Sequence, residues 1–145
     1  MRAQGIRIIT VKQPYASQII LGGKNVENRV RNIAGQYRGP IAIHAGLGHV
    51  PGIVPPSELR ALHDGAEAPR GAIIGVVDLR ATHHADYCWE ALDERGLCTP
   101  WALPDNWHLE LTNPRALAEP IAFTGALGLR RLDDATASRV WEAIA

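Results

Sequence analysis

The sequence lacks most features that mark secreted, membrane or metal-dependent proteins. It has two cysteines among 145 residues, Cys88 and Cys98, without the C-x-x-C spacing of redox motifs and many zinc sites. We therefore expect buried or inert thiols, no metal and no other cofactor. No apolar run approaches the roughly 20 residues that cross a bilayer, and the N-terminus lacks the long apolar segment of a signal peptide. These absences favour a cytoplasmic protein with no membrane partner.

Motifs of the common enzyme classes are also missing. The sequence contains no G-x-S-x-G, H-E-x-x-H, P-loop or G-x-G-x-x-G motif. Serine occurs at positions 17, 57 and 138, and no His-Asp relay is evident for Ser17, the serine nearest the charged segment described below. A serine-dependent mechanism is therefore not favoured.

An excess of one charge is absent as well, because 15 Lys and Arg balance 15 Asp and Glu. This balance argues against a general nucleic-acid coat protein. The charge is nevertheless uneven along the chain. Residues 1–40 carry seven Lys or Arg and one acid, Glu27, which allows one basic surface on a protein that is acidic elsewhere.

Apolar periodicity and turn residues predict the element order β-α-β-β-(α)-β-α-β-β-α. Because the strands follow one another without regular β-α alternation, the order favours an α+β fold, a small mixed β-barrel with flanking helices. We expect one domain over residues 1–145 and a monomer. The predicted strands are residues 6–11, 25–30, 40–46, 71–84, 107–113 and 126–132, and the predicted helices are 14–21, 58–65 capped by Ser57, 86–96, and 133–145 capped by Asp133 or Asp134.

The segment "LGGKNVENRV" places Lys24, Glu27 and Arg29 directly after a helix that Gly22 and Gly23 end. One interpretation is structural: a cation at the helix C-terminus and a surface ion pair. The other is a binding site, because the lysine and arginine can donate to phosphate or a carbonyl. The glutamate can then orient both cations or accept hydrogen bonds from a base edge.

This segment resembles the opening of the ASCH family, a branch of the PUA-like superfamily. The G-x-K-x-x-E-x-R signature is matched at Gly22, Lys24, Glu27 and Arg29, and a preceding Gln-Pro-aromatic-Ala at residues 13–16. Further matching segments are "YRGPIAIHAG", "GAIIGVVDL" and "TNPRALAEPIAFTGALGL". The resemblance implies a β-barrel with a cleft lined by the signature, and a family that commonly binds RNA.

Binding of RNA or another single strand in this cleft is the leading hypothesis. Lys24, Arg29 and the flanking Arg31 and Arg38 would contact phosphate. Glu27 would orient the cations or contact a base edge, and an aromatic ring would stack on a base. His44 either borders the cleft or is structural. The candidate binding residues are Tyr15, Lys24, Glu27, Arg29, Arg31, Arg38, His44, and Trp107 or Trp101.

A small hydrolase is the alternative hypothesis. One bacterial branch of the superfamily hydrolyses N4-acetylcytidine with a lysine, matched by Lys24, and a threonine nucleophile, where this chain has Glu27. A carboxylate cannot replace that hydroxyl, so the alternative is attack by water on a modified nucleoside or on RNA, with Glu27 as general base and Lys24 stabilising an oxyanion. A module that binds a small ligand or a protein is the third hypothesis.

A zinc site is the remaining possibility that the sequence raises. His83, His84, Asp86 and Cys88 lie close together, but their spacing matches no established ligand pattern. We therefore predict no metal at these residues.

Overall fold

The computed structural model describes residues 5–88, 93–125 and 127–145. In these residues six strands form one mixed sheet in the order β2-β5-β4-β3-β1-β6, accompanied by three α-helices, so the α+β class is confirmed. The elements are β1 (Arg7–Gln13), α1 (Tyr15–Leu21), β2 (Val26–Arg29), β3 (Gly39–His49), α2 (Pro56–Ala61), β4 (Ala72–His84), a 3₁₀ turn (Ala85–Tyr87), β5 (Trp107–Ala122), β6 (Leu129–Arg131) and α3 (Asp134–Ala143).

The sheet is open, so the predicted closure into a barrel is wrong. Strands β2 and β6 stand at opposite edges, and among the described residues no hydrogen-bonded ladder joins one edge to the other, as a barrel requires. Strand β1 pairs in parallel with β3, and all other pairs are antiparallel. The open side between β2 and β1 is where the candidate site lies.

Strand β5 continues through two prolines, which corrects the predicted connection after residue 113. Its register with β4 shifts in three places, and Asn113 has a positive φ of 51° beside Pro114. A β-bulge leaves a residue outside the ladder and bends the strand, so a proline there removes no required hydrogen bond. Pro114 and Pro120 both fall where the register shifts. The bulges therefore allow a 16-residue strand to bend.

Two apolar clusters cover the two faces of the sheet. Along β1, Ile9 belongs to the cluster under α1, and Ile8 to the cluster under α3, as the alternation of a strand requires. Helix α1 packs closely because β4 has a glycine beneath it: a Cβ on Gly75 would lie 2.6 Å from Ile20 Cδ1. Both strand faces are thus buried, and the site forms at the sheet edge.

The helix boundaries confirm some predictions and correct others. Helix α1 ends at glycine as predicted, and the N–H groups of Gly22 and Lys24 both donate to Gln18 O, at 2.9 and 3.0 Å. Asp133 caps α3 by accepting from Thr136 N at 2.8 Å. Helix α2 begins at Pro56, so Ser57 is not its cap. No described helix is long and apolar enough to traverse a bilayer.

The predicted helix over residues 86–96 is wrong where the structure describes it. The chain forms the 3₁₀ turn at Ala85–Tyr87 and a separate turn over residues 93–96. Residues 89–92 of the predicted helix lie outside the described residues.

Candidate functional site

A pocket of about 500 Å³ opens between the end of α1, strand β2 and the loop that precedes β5. Its volume lies in the range of about 300–1,000 Å³ typical of small-molecule sites. Apolar side chains form one part of the wall, and charged side chains of the G-x-K-x-x-E-x-R segment form another. The lining includes Lys12, Tyr15, Lys24, Glu27, Asn28, Arg29, Val30, Val50, Ile53, Trp101 and Leu103.

Lys24 is the buried cation of this pocket, with 4% of the residue exposed. The turn through Gly23, whose φ is +80°, brings the lysine back beneath α1. Its Nζ lies 5.1 Å from the ring centroid of Tyr15 and 5.6 Å from that of Trp101. No described residue accepts a hydrogen bond from the ammonium. Burial lowers the pKa of Lys24, and the negative Glu27 partly opposes this shift.

Arg29 holds Glu27 in place. Its Nε and Nη2 lie 2.8 and 2.7 Å from Glu27 Oε2, and Nη2 also donates to Thr10 O at 2.8 Å. The guanidinium thus links edge strand β2 to β1 across the open side of the sheet. Among the described residues Glu27 Oε1 has no hydrogen-bond donor, so this oxygen can accept from a ligand.

The loop before β5 is fixed by side chains that the sequence analysis did not single out. Asn28 Nδ2 donates to Trp101 O at 3.0 Å, and Asn28 Oδ1 accepts from Leu103 N at 2.9 Å. Arg95 Nη1 donates to the carbonyl of buried Ala102 at 2.8 Å. No sequence signal indicated Asn28, because its partners lie more than 70 positions away. These bonds hold the Trp101 ring at the pocket wall.

The structure therefore brings together five of the candidate residues: Tyr15, Lys24, Glu27, Arg29 and Trp101. Of the two tryptophans left open for stacking, it selects Trp101. Trp107 does not line the pocket, and its ring meets that of His84 edge-on at 5.5 Å.

The other candidates lie outside the pocket. His44 is buried on the α3 side of the sheet, where its ring nitrogens contact Thr10 Oγ1 at 3.1 Å and Phe123 O at 2.6 Å. This is the structural position that the sequence left open for it. Arg38 donates to the carbonyls of residues 35 and 37 and to the hydroxyl of residue 82, and Arg31 is exposed two positions beyond Arg29.

A second cluster of polar side chains lies behind the loop. His83, Cys88, Cys98 and His108 each place a potential ligand atom within 4.8 Å of the others. Burial, with a contribution from neighbouring Cys88, raises the pKa of the Cys98 thiol to about 11. His84 is not part of the group, since its Nδ1 accepts from the backbone N of residue 86. The sequence had suggested a different set, with His84 and Asp86 in place of Cys98 and His108.

Comparison with known proteins identifies the relatives of this fold. A sequence model of the ASCH domain matches residues 9–122. No curated protein matches the chain. Crystal structures of ZmASCH from Zymomonas mobilis are similar in fold. A tyrosine-to-phenylalanine mutant aligns at 17% sequence identity with a TM-score of 0.61, and the alignment covers 98% of this chain and 100% of that chain. A serine-to-alanine mutant matches at 16% identity and TM-score 0.58, covering both chains completely. At these identities the likeness is one of fold.

Proposed function

The chain belongs to the ASCH domain family, a PUA-like and generally RNA-binding-like family, and on this premise we propose that it binds RNA or another single strand by admitting one nucleotide to the pocket beside Lys24. The supporting observation is a pair of charged groups, the Lys24 ammonium and Glu27 Oε1, for which no described residue supplies a hydrogen-bond partner. The Lys24 ammonium can donate, and Glu27 Oε1 can accept, in the same pocket.

A nucleobase has the chemistry that complements this pocket. Its edge carries donors and acceptors side by side, and a carboxylate accepts well from an exocyclic amino group such as that of cytosine. Its flat faces are apolar and stack on aromatic rings, which contributes about 1–3 kcal/mol per base. Trp101 offers such a ring, and Val30 and Leu103 offer apolar contacts. The pocket therefore offers polar groups for the base edge and an aromatic ring for its face.

The ligand is single-stranded in this proposal because a base edge that is paired in a duplex cannot reach Lys24 and Glu27. A modified nucleoside could bind in the same way. The phosphate contribution is smaller than the sequence implied, because the Arg29 donors described above are used within the protein. Exposed Lys12 and Arg31 remain for phosphate contact. For one or two phosphates the slope of log K against log salt is about −0.7 to −1.4.

Fluorescence anisotropy with labelled short ribo-oligonucleotides of each base, and with a duplex of the same length, tests the proposal. We expect binding to the single strands, weakened in Lys24→Met and in Trp101→Leu. The matched control is Arg130→Ala, which removes an exposed cation from β6 at the far edge of the sheet. Equal binding of duplex and single strand, or binding unaffected by Lys24→Met, contradicts the proposal.

Hydrolysis is the second candidate function, favoured by the lowered pKa of Lys24 beside a carboxylate oxygen that can accept a proton. For N4-acetylcytidine, water would attack the acetyl carbonyl while Glu27 takes its proton and Lys24 stabilises the oxyanion. The C–N bond then breaks, the proton returns to N4, and acetate and cytidine leave.

Chromatography of reactions with N4-acetylcytidine and with RNA, with and without divalent metal, tests this second function. We expect Glu27→Gln to abolish turnover while retaining binding within a few fold. Absence of both products at high protein concentration removes hydrolysis and leaves the binding proposal standing.

A further inference from the structure

The connection between β4 and β5 is long and runs through residues 85–106. In the parts that the structure describes, residues 85–88 and 93–106, its buried hydrophobic residues are Ala85, Leu97 and Ala102, with Cys88 and Cys98 packed against them. Ordered connections longer than about 12–15 residues are uncommon in compact domains unless they serve a function. Cys88 and Cys98 belong to this connection, and His83 and His108 lie on the strands at its two ends.

Five of the six distances among the four potential ligand atoms suit a tetrahedral metal site, and the two sulfurs lie within 4.8 Å of each other. His83 Nε2 and His108 Nδ1 are 3.1 Å apart. The sulfur–nitrogen distances are 3.2, 3.4, 3.4 and 3.8 Å. A zinc ion with Zn–S near 2.3 Å and Zn–N near 2.0–2.1 Å gives tetrahedron edges of about 3.3 Å between nitrogens and about 3.5 Å between sulfur and nitrogen. The observed distances lie close to these values.

The outer hydrogen bonds orient both imidazoles toward the centre of this group. His108 Nε2 lies 2.7 Å from Leu103 O, and because a carbonyl only accepts, Nε2 carries the ring proton and Nδ1 presents its lone pair. His83 Nδ1 lies 3.0 Å from Glu110 Oε2, which orients His83 Nε2 in the same way. Such carboxylate and carbonyl partners are typical of histidines that bind metal.

Two lone pairs that face each other at 3.1 Å need a shared cation between them. A proton would use only two of the four atoms, whereas a metal ion uses all four. We propose that His83, Cys88, Cys98 and His108 bind one zinc ion. Two sulfurs and two nitrogens in tetrahedral arrangement favour zinc, and a full set of four protein ligands indicates a structural site. Binding displaces the two thiol protons.

The proposed zinc site holds the base of the loop that carries Trp101. His83 and His108 are paired directly across the β4–β5 ladder, and the two cysteines come from the connection between them. The metal therefore joins the strand ends to the returning chain. His108 also contacts Leu103, so the same ligand fixes part of the pocket wall.

Metal analysis of the full chain is the direct test. The protein is purified under reducing conditions, any polyhistidine tag is removed, and metal is measured by inductively coupled plasma mass spectrometry; we expect one zinc per chain. Titration of zinc-free protein with Co²⁺ should give the visible absorption of tetrahedral cobalt with thiolate charge transfer, and Zn²⁺ should abolish it. Cys98→Ser should lose most of its zinc, and the matched control His84→Asn should retain it.

The wild-type measurement decides the proposal even where a variant fails to fold. Wild-type protein that neither contains zinc nor binds Zn²⁺ or Co²⁺ at one equivalent overturns it. Zinc retained at one equivalent in the Cys88→Ser, Cys98→Ser double variant overturns it as well.

Discussion

Removing the Asn28 side chain should release the pocket loop without unfolding the domain. Asn28→Ala deletes the bonds to Trp101 O and Leu103 N, at 3.0 and 2.9 Å. Each bond contributes about 0.5–1.5 kcal/mol net, and because Leu103 is exposed, water replaces part of this. We therefore expect a loss of about 1–2 kcal/mol in local stability, which corresponds to an opening equilibrium about 5–30 times larger.

Hydrogen exchange followed by mass spectrometry measures this change in peptides that cover residues 99–106. The Leu103 amide should exchange about 5–30 times faster, whereas peptides from β3 and β4 should be nearly unchanged. Asn25→Ala is the matched control, because Asn25 is an exposed asparagine just before β2 whose side chain has no hydrogen bond to a described residue. Exchange that changes less than twofold in Asn28→Ala, or equally in the control, refutes the assignment of Asn28 as the residue that positions the loop.

Three further predictions concern charge and packing. Burial lowers the pKa of Lys24, so binding that needs its ammonium should weaken at a pH below the usual pKa of 10.5. The unfolded chain keeps the Lys24 proton to higher pH than the folded protein, so the free energy of unfolding should rise with pH between the two pKa values. Urea titrations should show this rise in the wild type and not in Lys24→Met. Arg29→Ala removes the ion-pair partner of the largely buried Glu27 and should lower the free energy of unfolding, measured in urea, by about 2–4 kcal/mol. A decrease below about 1 kcal/mol would contradict a structural role for the Arg29–Glu27 pair. Gly75→Ala places a Cβ 2.6 Å from Ile20 Cδ1 and should cost about 1–3 kcal/mol by thermal denaturation, whereas an unchanged melting temperature would show that α1 can shift.

Local patterns in the sequence were sufficient for the elements that depend on neighbouring residues. The β-branched residues of β1, the glycines after α1 and the Asp133 cap of α3 each act within a few positions, and the structure has all three features. The predicted strand over residues 107–113 stopped before Pro114, whereas in the structure a bulge accommodates this proline within β5. Whether the strands close into a barrel depends on strand tilt and stagger across the whole sheet, which no single segment specifies.

The candidate site was predicted as far as its residues are close in sequence. Lys24, Glu27 and Arg29 share six positions, and their convergence on one pocket follows from the turn before them. The pairing of Glu27 with Arg29 agrees with the predicted orienting role of the glutamate, whereas the bond from Arg29 to Thr10 O had no local signal in the sequence. The proposed metal ligands His83 and His108 meet because β4 and β5 pair in register, and their separation of 25 positions conceals the contact in the sequence.

Leu103 couples the two proposed sites through a single residue. Its N–H bonds to Asn28 beside the pocket, and its carbonyl bonds to His108 in the metal cluster. Thermodynamic reciprocity then requires that whatever factor zinc adds to the affinity for a nucleotide, the nucleotide adds to the affinity for zinc. If zinc raises the affinity for the nucleotide, loss of zinc would lower occupancy at both sites together, and an abundant ligand would protect the metal from chelators.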